Sequence, residues 1–314
     1  MNFSKIFLII ILGSIAFYSI FLFLSDISSL ELNSINFKYD YVIIILIFVV
    51  SSWIPLFLRW RLLCKNLGLN IPLRVDFLVY VAGFALSITP AKLGELLRIQ
   101  ILRDKSGIQR TQTTPLIFIE KFYDLLGAVI ISSIGILYFP QIGIIVLGGL
   151  ILTIFIFILF SSKITFDKSI IIFSKFKFTK NFIEPLSKSH EILKSSTKTR
   201  IFTFSIALSV LYWLAISIAV FFILESLSID SLGFAEIAST YASSLFLGAL
   251  SFLPGGLGIT EASFAGLLNI QGISLSMAIV AVIIVRLFTL WFGVAIGFIA
   301  LKLVGGFSLK SSNS

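Results

Sequence analysis

Eight charged side chains lie inside otherwise strongly apolar sequence. Lys92, Glu95 and Arg98 fall in Pro90-Ala-Lys-Leu-Gly-Glu-Leu-Leu-Arg98, Glu120, Lys121 and Asp124 in Glu120-Lys-Phe-Tyr-Asp124, and Glu261 and Arg286 further along. Glu95 and Arg98 stand three apart, Glu120 and Asp124 four apart, so each pair shares one helix face. Lys92, Arg98 and Arg286 could bind an anionic phosphate, assisted by helix N-termini after Pro90 and Pro254. Glu95, Glu120, Asp124 and Glu261 could hold those cations in place or engage an amine headgroup. The plainer alternative is that the charges pair only with one another and fix the fold. No catalytic set stands out. A single cysteine, Cys64, and a single histidine, His190, allow neither an intrachain disulfide nor a conventional zinc site, so no metal or cofactor is expected.

The elements that must position these charges are set by composition. With 58% hydrophobic and 12% charged residues, 33 Phe and a mean hydropathy of +1.09, the chain has too little polar surface for a water-soluble globule. It reads as an all-α polytopic membrane protein. The net charge of +9 sits in short basic clusters between apolar runs, as cytoplasmic loops do, so nucleic acid is not an expected partner. A charge at mid-bilayer costs on the order of 2.5 to 3.5 kcal/mol, so the eight must be paired or line a polar cavity.

Apolar runs predict six full spans at 6–24, 41–58, 115–138, 143–161, 201–224 and 274–301. Loop 25–40 is acidic and belongs outside, whereas the loop after the second run, with Arg59, Arg61, Lys65 and Arg74, belongs in the cytoplasm. Residues 77–91 are apolar, short and flanked by basic residues on both sides, which predicts a re-entrant hairpin entering from the cytoplasm and broken at Pro90 and Gly94. A second hairpin, over 237–272, enters from outside and breaks at Pro254, Gly255, Gly256 and Gly258; these glycines could also serve packing alone. The stretch 162–200 is a basic cytoplasmic loop, part of which, 170–178, could lie on the lipid surface. The two halves of the single transmembrane domain 1–314, about 1–140 and 141–304, then mirror each other in opposite orientation. Such inverted repeats with interrupted helices build alternating-access transporters. The expected location is the plasma membrane, multi-pass, with both termini cytoplasmic.

The stretches Pro90–Arg98, Glu120–Asp124, Pro254-Gly-Gly-Leu-Gly-Ile-Thr-Glu261 and Arg286-Leu-Phe-Thr-Leu-Trp291 resemble the lysylphosphatidylglycerol synthase transmembrane-region family, also called flippase-like membrane proteins. The resemblance covers nearly the whole chain; Lys121 departs from it, standing where an arginine is expected and lacking the guanidinium fork. It implies the lipid-translocating part without the aminoacyltransferase domain that can follow it in such relatives. The expected function is movement of an anionic phospholipid or polyprenyl-phosphate-type headgroup between leaflets. The alternative is a non-transporting scaffold or partner of a separate lipid-modifying or glycosyltransferase enzyme. A glycosyltransferase in its own right would offer more acidic residues in the first outer loop than Asp26 and Glu31, and no enzymatic domain is expected. Membrane lipids with anionic headgroups are the expected partners, with a separately encoded enzyme and a homo-oligomer left open.

Overall fold

A computed structural model describes residues 37–89, 95, 97–173 and 190–305, and every regular element among them is helical. Helix α1, Val42–Asn66, is entered through a 3-10 turn at Tyr39–Tyr41. Its side chains sort by face: Ile43, Ile47, Ile54 and Leu58 are exposed, whereas Ile45, Val49 and Ser52 are buried. That inverts the pattern of a soluble helix, because here the exposed apolar stripe meets lipid and the buried face carries the polar groups. Then come α2, Leu73–Ala82, prolonged by a 3-10 turn at Gly83–Leu86; α3, Leu97–Ser106; α4, Arg110–Ile134; α5, Gly143–Ser161; and α6, Lys163–Phe173. After them follow α7, His190–Ser196; α8, Thr199–Ser226; α9, Phe234–Leu250; α10, Ile259–Ile270; α11, Leu275–Arg286; and α12, Phe292–Leu303. A π-helical turn, Leu287–Trp291, joins α11 to α12 without a break.

Among the described residues, three helical stretches are long and apolar enough to cross a membrane: Tyr39–Asn66, Thr199–Ser226 and Leu275–Leu303. A fourth is added if α5 and α6, bent by 105° to each other, form one broken span. Helix α4 matches α1 in length, at 25 residues, but carries Glu120, Lys121 and Asp124 in its apolar stretch. Others are too short. At 1.5 Å per residue α2 and α10 reach roughly 15 and 18 Å, about half of a hydrocarbon core of ~30 Å. The predicted first span, 6–24, the breaks Pro90 and Gly94, and most of 170–178 lie outside the described residues.

One expectation is corrected. Arg59, Arg61 and Lys65 are not in a loop, because α1 continues through them to Asn66 and stops only where Gly68 takes a left-handed φ of 71°. Its apolar run ends at Leu58, but nothing in the eight residues that follow breaks a helix.

Helices α1 and α8 run antiparallel along one another, the backbone N–H of Lys38 at the start of one donating to the carbonyl of Ser226 at the end of the other. Two apolar cores form around them. One gathers Ile45 and Val49 with α4, α8, α9, α10 and α11; the other gathers Phe57, Trp60 and Leu63 with α2, α3, α4 and α12. Glycine allows a close backbone crossing, since a Cβ on Gly297 of α12 would fall 2.3 Å from the backbone nitrogen of Ala85.

Candidate functional site

Between those cores is a cavity of about 440 Å³. Helix α1 shows how it arises: Ser52, Trp53, Leu56 and Arg59, which line it, fall between Val49 of one core and Trp60 of the other. On one side it is bounded by Glu95, Glu120, Lys121 and Asp124, on the other by Gly255, Gly256, Thr260 and Arg286. The two sequence stretches richest in charge and glycine thus face one space. The glycine segment also packs against the end of the 3-10 turn after α2, since a Cβ on Gly255 would lie 3.5 Å from the Cα of Ile88.

The first set of charges forms one network. Arg98 donates from Nη2 to Glu120 at 2.6 Å and to Glu95 at 3.0 Å. Its guanidinium also stacks over the Trp60 and Tyr80 rings, at 4.7 and 4.8 Å from their centroids, and its stem covers Gly83, where any Cβ would strike it. Lys121 donates to Glu95 at 2.8 Å and lies 3.5 Å from Asp124. Arg59 donates to Asp124 at 2.6 Å and to Ser209 on α8 at 2.5 Å. Three cations, Arg59, Arg98 and Lys121, thus meet three carboxylates, Glu95, Glu120 and Asp124. The balance has a physical reason: an unmatched charge here would bear a desolvation cost that no neighbour offsets. Access is unequal. The Arg98 and Glu120 side chains are each 2% exposed, but Lys121 is 27% and Asp124 24% exposed.

The second set is a single pair. Arg286 donates from Nε to Glu261 at 2.7 Å and from Nη2 to the Gly255 carbonyl at 3.3 Å. The other oxygen of Glu261 accepts from the backbone N–H of Gly258 at 2.7 Å, closing the first turn of α10. Gly255, Gly256 and Gly258 all have positive φ, 61°, 68° and 87°, so the glycines of Pro254–Gly258 supply a reversal that other residues rarely adopt. Arg286 closes α11 immediately before the π turn, a defect often found where a helix serves a site.

Of the residues expected to act, Glu95, Glu120, Asp124 and Arg286 line the cavity, while Arg98 and Glu261 stand behind it holding Glu120 and Arg286. Lys92 lies outside the described residues. Sequence reasoning misses Arg59, which it places in a loop, and the aromatic pair Trp60 and Tyr80. The usable signal was the unbroken helix-forming stretch from Leu58 to Leu67, which carries Arg59 into the membrane-facing bundle. Among the described residues no three His, Cys, Asp or Glu side chains gather as metal ligands.

Apolar helices with lipid-facing stripes around a buried, charge-balanced cavity define a multi-pass α-helical membrane protein. The chain belongs to the lysylphosphatidylglycerol synthase transmembrane-region family, whose model matches residues 9–297. It is similar to a UPF0104 membrane protein of Methanocaldococcus jannaschii, with 28% identity over 233 residues, 70% of this chain and 94% of the relative. A UPF0104 membrane protein of Methanothermobacter thermautotrophicus is 25% identical over 262 residues, 76% of each chain. No solved structure gives a significant match.

Proposed function

We propose that the protein carries lipids between leaflets, taking an anionic phospholipid or polyprenyl-phosphate-type headgroup into the central cavity while the acyl chains stay in the bilayer. The observation that carries this reading is that one cavity is lined by charged side chains from both halves of the chain, Glu95, Glu120, Lys121 and Asp124 from one and Arg286 from the other. An isolated scaffold has no need of a cavity that brings charged side chains together in its apolar interior, whereas a headgroup cannot cross without one.

The halves correspond in detail, which supports an inverted repeat with two re-entrant hairpins. Tyr39–Asn66 and Thr199–Ser226 are both 28 residues long and antiparallel. Both end alike: Leu67 and Leu227 have φ of −94°, Gly68 and Ser228 have φ of 71° and 59°, and Leu69 and Ile229 donate back to Cys64 and Leu224. The ion pairs correspond too. Glu95 with Lys121 stands to Glu261 with Arg286 at sequence offsets of 166 and 165, with distances of 2.8 and 2.7 Å. Each pair ties a broken segment to the helix that follows, and we read the two as equivalent latches. Lys121 is half-buried, but Arg286 and Glu261 are 5% and 0% exposed, so one latch is looser than the other. Alternate loosening of the two would open the cavity to each side in turn. The Lys/Arg distribution supports placing both termini on the cytoplasmic side of the cell membrane.

A headgroup phosphate would be held by Arg286, through the guanidinium donors that Glu261 and Gly255 leave over, and by Lys121. The test is purified protein in liposomes with a fluorescent phosphatidylglycerol or polyprenyl phosphate. Leaflet exchange above that of empty liposomes is expected, and Arg286→Gln should nearly abolish it while the protein still folds. Absence of exchange with every anionic lipid, or wild-type exchange by folded Arg286→Gln, would replace the carrier with a scaffold.

A further inference from the structure

A second cavity, about 300 Å³, lies away from the transport chamber between the last turn of α1 and the first turn of α2. Arg61, Cys64, Lys65, Asn70, Ile71 and Asp76 form its wall. None of these residues lines the central cavity. We infer that it is a binding site for the phosphodiester headgroup of an anionic lipid in the cytoplasmic leaflet.

The argument begins with Asp76. Its carboxylate is buried on α2 and accepts from the Trp60 indole N–H at 2.8 Å, so it is fixed in place. Its other oxygen accepts from Nη1 of Arg61 at 3.2 Å. That single bond orients the guanidinium while leaving most of its five N–H donors for another acceptor. Lys65 stands four residues on, on the same face of α1, exposed and with no ion-pair partner among the described residues. Two cations against one carboxylate leave the wall one positive charge in surplus, which a phosphodiester would neutralise. This contrasts with the balanced network of the central cavity.

The surroundings favour a lipid over a free anion. Leu73 and Phe77, each adjacent in sequence to a cavity residue and one turn apart on α2, are exposed, as are Ile54 and Leu58 on α1. Phe77 packs edge-on against Phe57, joining the two stripes into one apolar surface. A headgroup seated on Arg61 and Lys65 would have its acyl chains on that surface. Arg74, exposed on the first turn of α2, adds to the local positive potential, as cytoplasmic-leaflet anchors do.

The experiment uses the full chain in detergent, with Asn70→Cys in a Cys64→Ser background as a reporter at the cavity wall. Its alkylation rate is measured with dioctanoyl phosphatidylglycerol, dioctanoyl phosphatidylcholine or inorganic phosphate. Phosphatidylglycerol should slow alkylation, and adding Lys65→Gln should weaken its apparent affinity by about tenfold, the worth of one charge-assisted hydrogen bond. Phosphatidylcholine, whose own cation competes for its phosphate, should protect far less. Equal protection by the two lipids, or protection unchanged by Lys65→Gln, overturns the site; protection by inorganic phosphate as strong as by phosphatidylglycerol overturns the lipid assignment. The rise in Tm that phosphatidylglycerol gives should likewise be smaller for Lys65→Gln than for the unaltered chain, since Lys65 does not line the central cavity. Neither measurement involves transport, so the site stands or falls apart from the carrier reading.

Discussion

Removing the Glu261 charge is the sharpest test of the buried pairs, because this carboxylate has two well-defined donors and no exposure. Glu261→Gln keeps the shape and one acceptor oxygen for the Gly258 N–H, but withdraws the anion that Arg286 faces at 2.7 Å. Breaking a buried pair from one side costs about 3 to 5 kcal/mol. Arg286 retains the Gly255 carbonyl at 3.3 Å and borders a cavity that water can enter, so the lower end applies, about 3 kcal/mol. For a chain of this size that is a fall in Tm of roughly 4 to 5 °C. The double variant with Arg286→Gln removes the stranded charge as well and should recover about 2 kcal/mol relative to the sum of the single changes. Thermal unfolding of the four proteins in one detergent measures this, and leaflet exchange should be lost in all three variants because the phosphate-binding cation is absent or displaced. If the two single losses add within about 0.5 kcal/mol, Glu261 and Arg286 are not coupled and the latch does not exist.

Three further outcomes follow from close contacts and from the network. Gly297→Ala should cost at least ~1 to 3 kcal/mol and sharply reduce folded yield, because its Cβ would meet the backbone of Phe84 and Ala85, which cannot step aside. Gly266→Ala on α10, with open space around it, should be neutral or stabilising by about 0.5 to 1 kcal/mol, and detergent unfolding of the pair checks both. Arg59→Lys preserves the charge but cannot reach Ser209 and Asp124 together, so stability should fall by about 1 to 2 kcal/mol, whereas an unchanged Tm would leave Arg59 without the bridging role its distances give it.

The sequence carried much of this architecture because membrane helices announce themselves by composition. Runs at 201–224 and 274–301 became Thr199–Ser226 and Leu275–Leu303 within a few residues, and the Pro254–Gly258 break was visible as four helix-breaking residues in five. Hydropathy alone misplaces the end of α1, because it falls at Arg59 although the helix does not stop there. In lipid an arginine can remain in a helix if a partner across the bundle takes its charge, and that partner, Asp124, is 65 residues away. Pairing was equally hidden. Spacing put Glu120 and Asp124 on one face, but gave no means of knowing that one meets Arg98 and the other Arg59.

The distances also divide the seven described charges of the original eight into those that build and those that can bind. A group that must release its partner to take up a headgroup needs an inexpensive exchange: access to the cavity and a partner that can be replaced. Arg98 meets neither condition, because it is shared between two carboxylates, stacked on two rings and wedged over Gly83. Pulling it away would strand Glu120, its partner at 2.6 Å, so under the proposed function Arg98 is the fixed post of the network and the phosphate falls to other cations. Lys121 meets both, being half-buried on the cavity wall and held by one short contact to Glu95 and one longer contact to Asp124. Lys121→Gln should therefore abolish leaflet exchange with a stability loss of no more than about 1 to 2 kcal/mol, whereas Arg98→Gln should unfold the protein before transport can be measured. Exchange at the wild-type rate by Lys121→Gln, or a stable Arg98→Gln protein, would reverse the division.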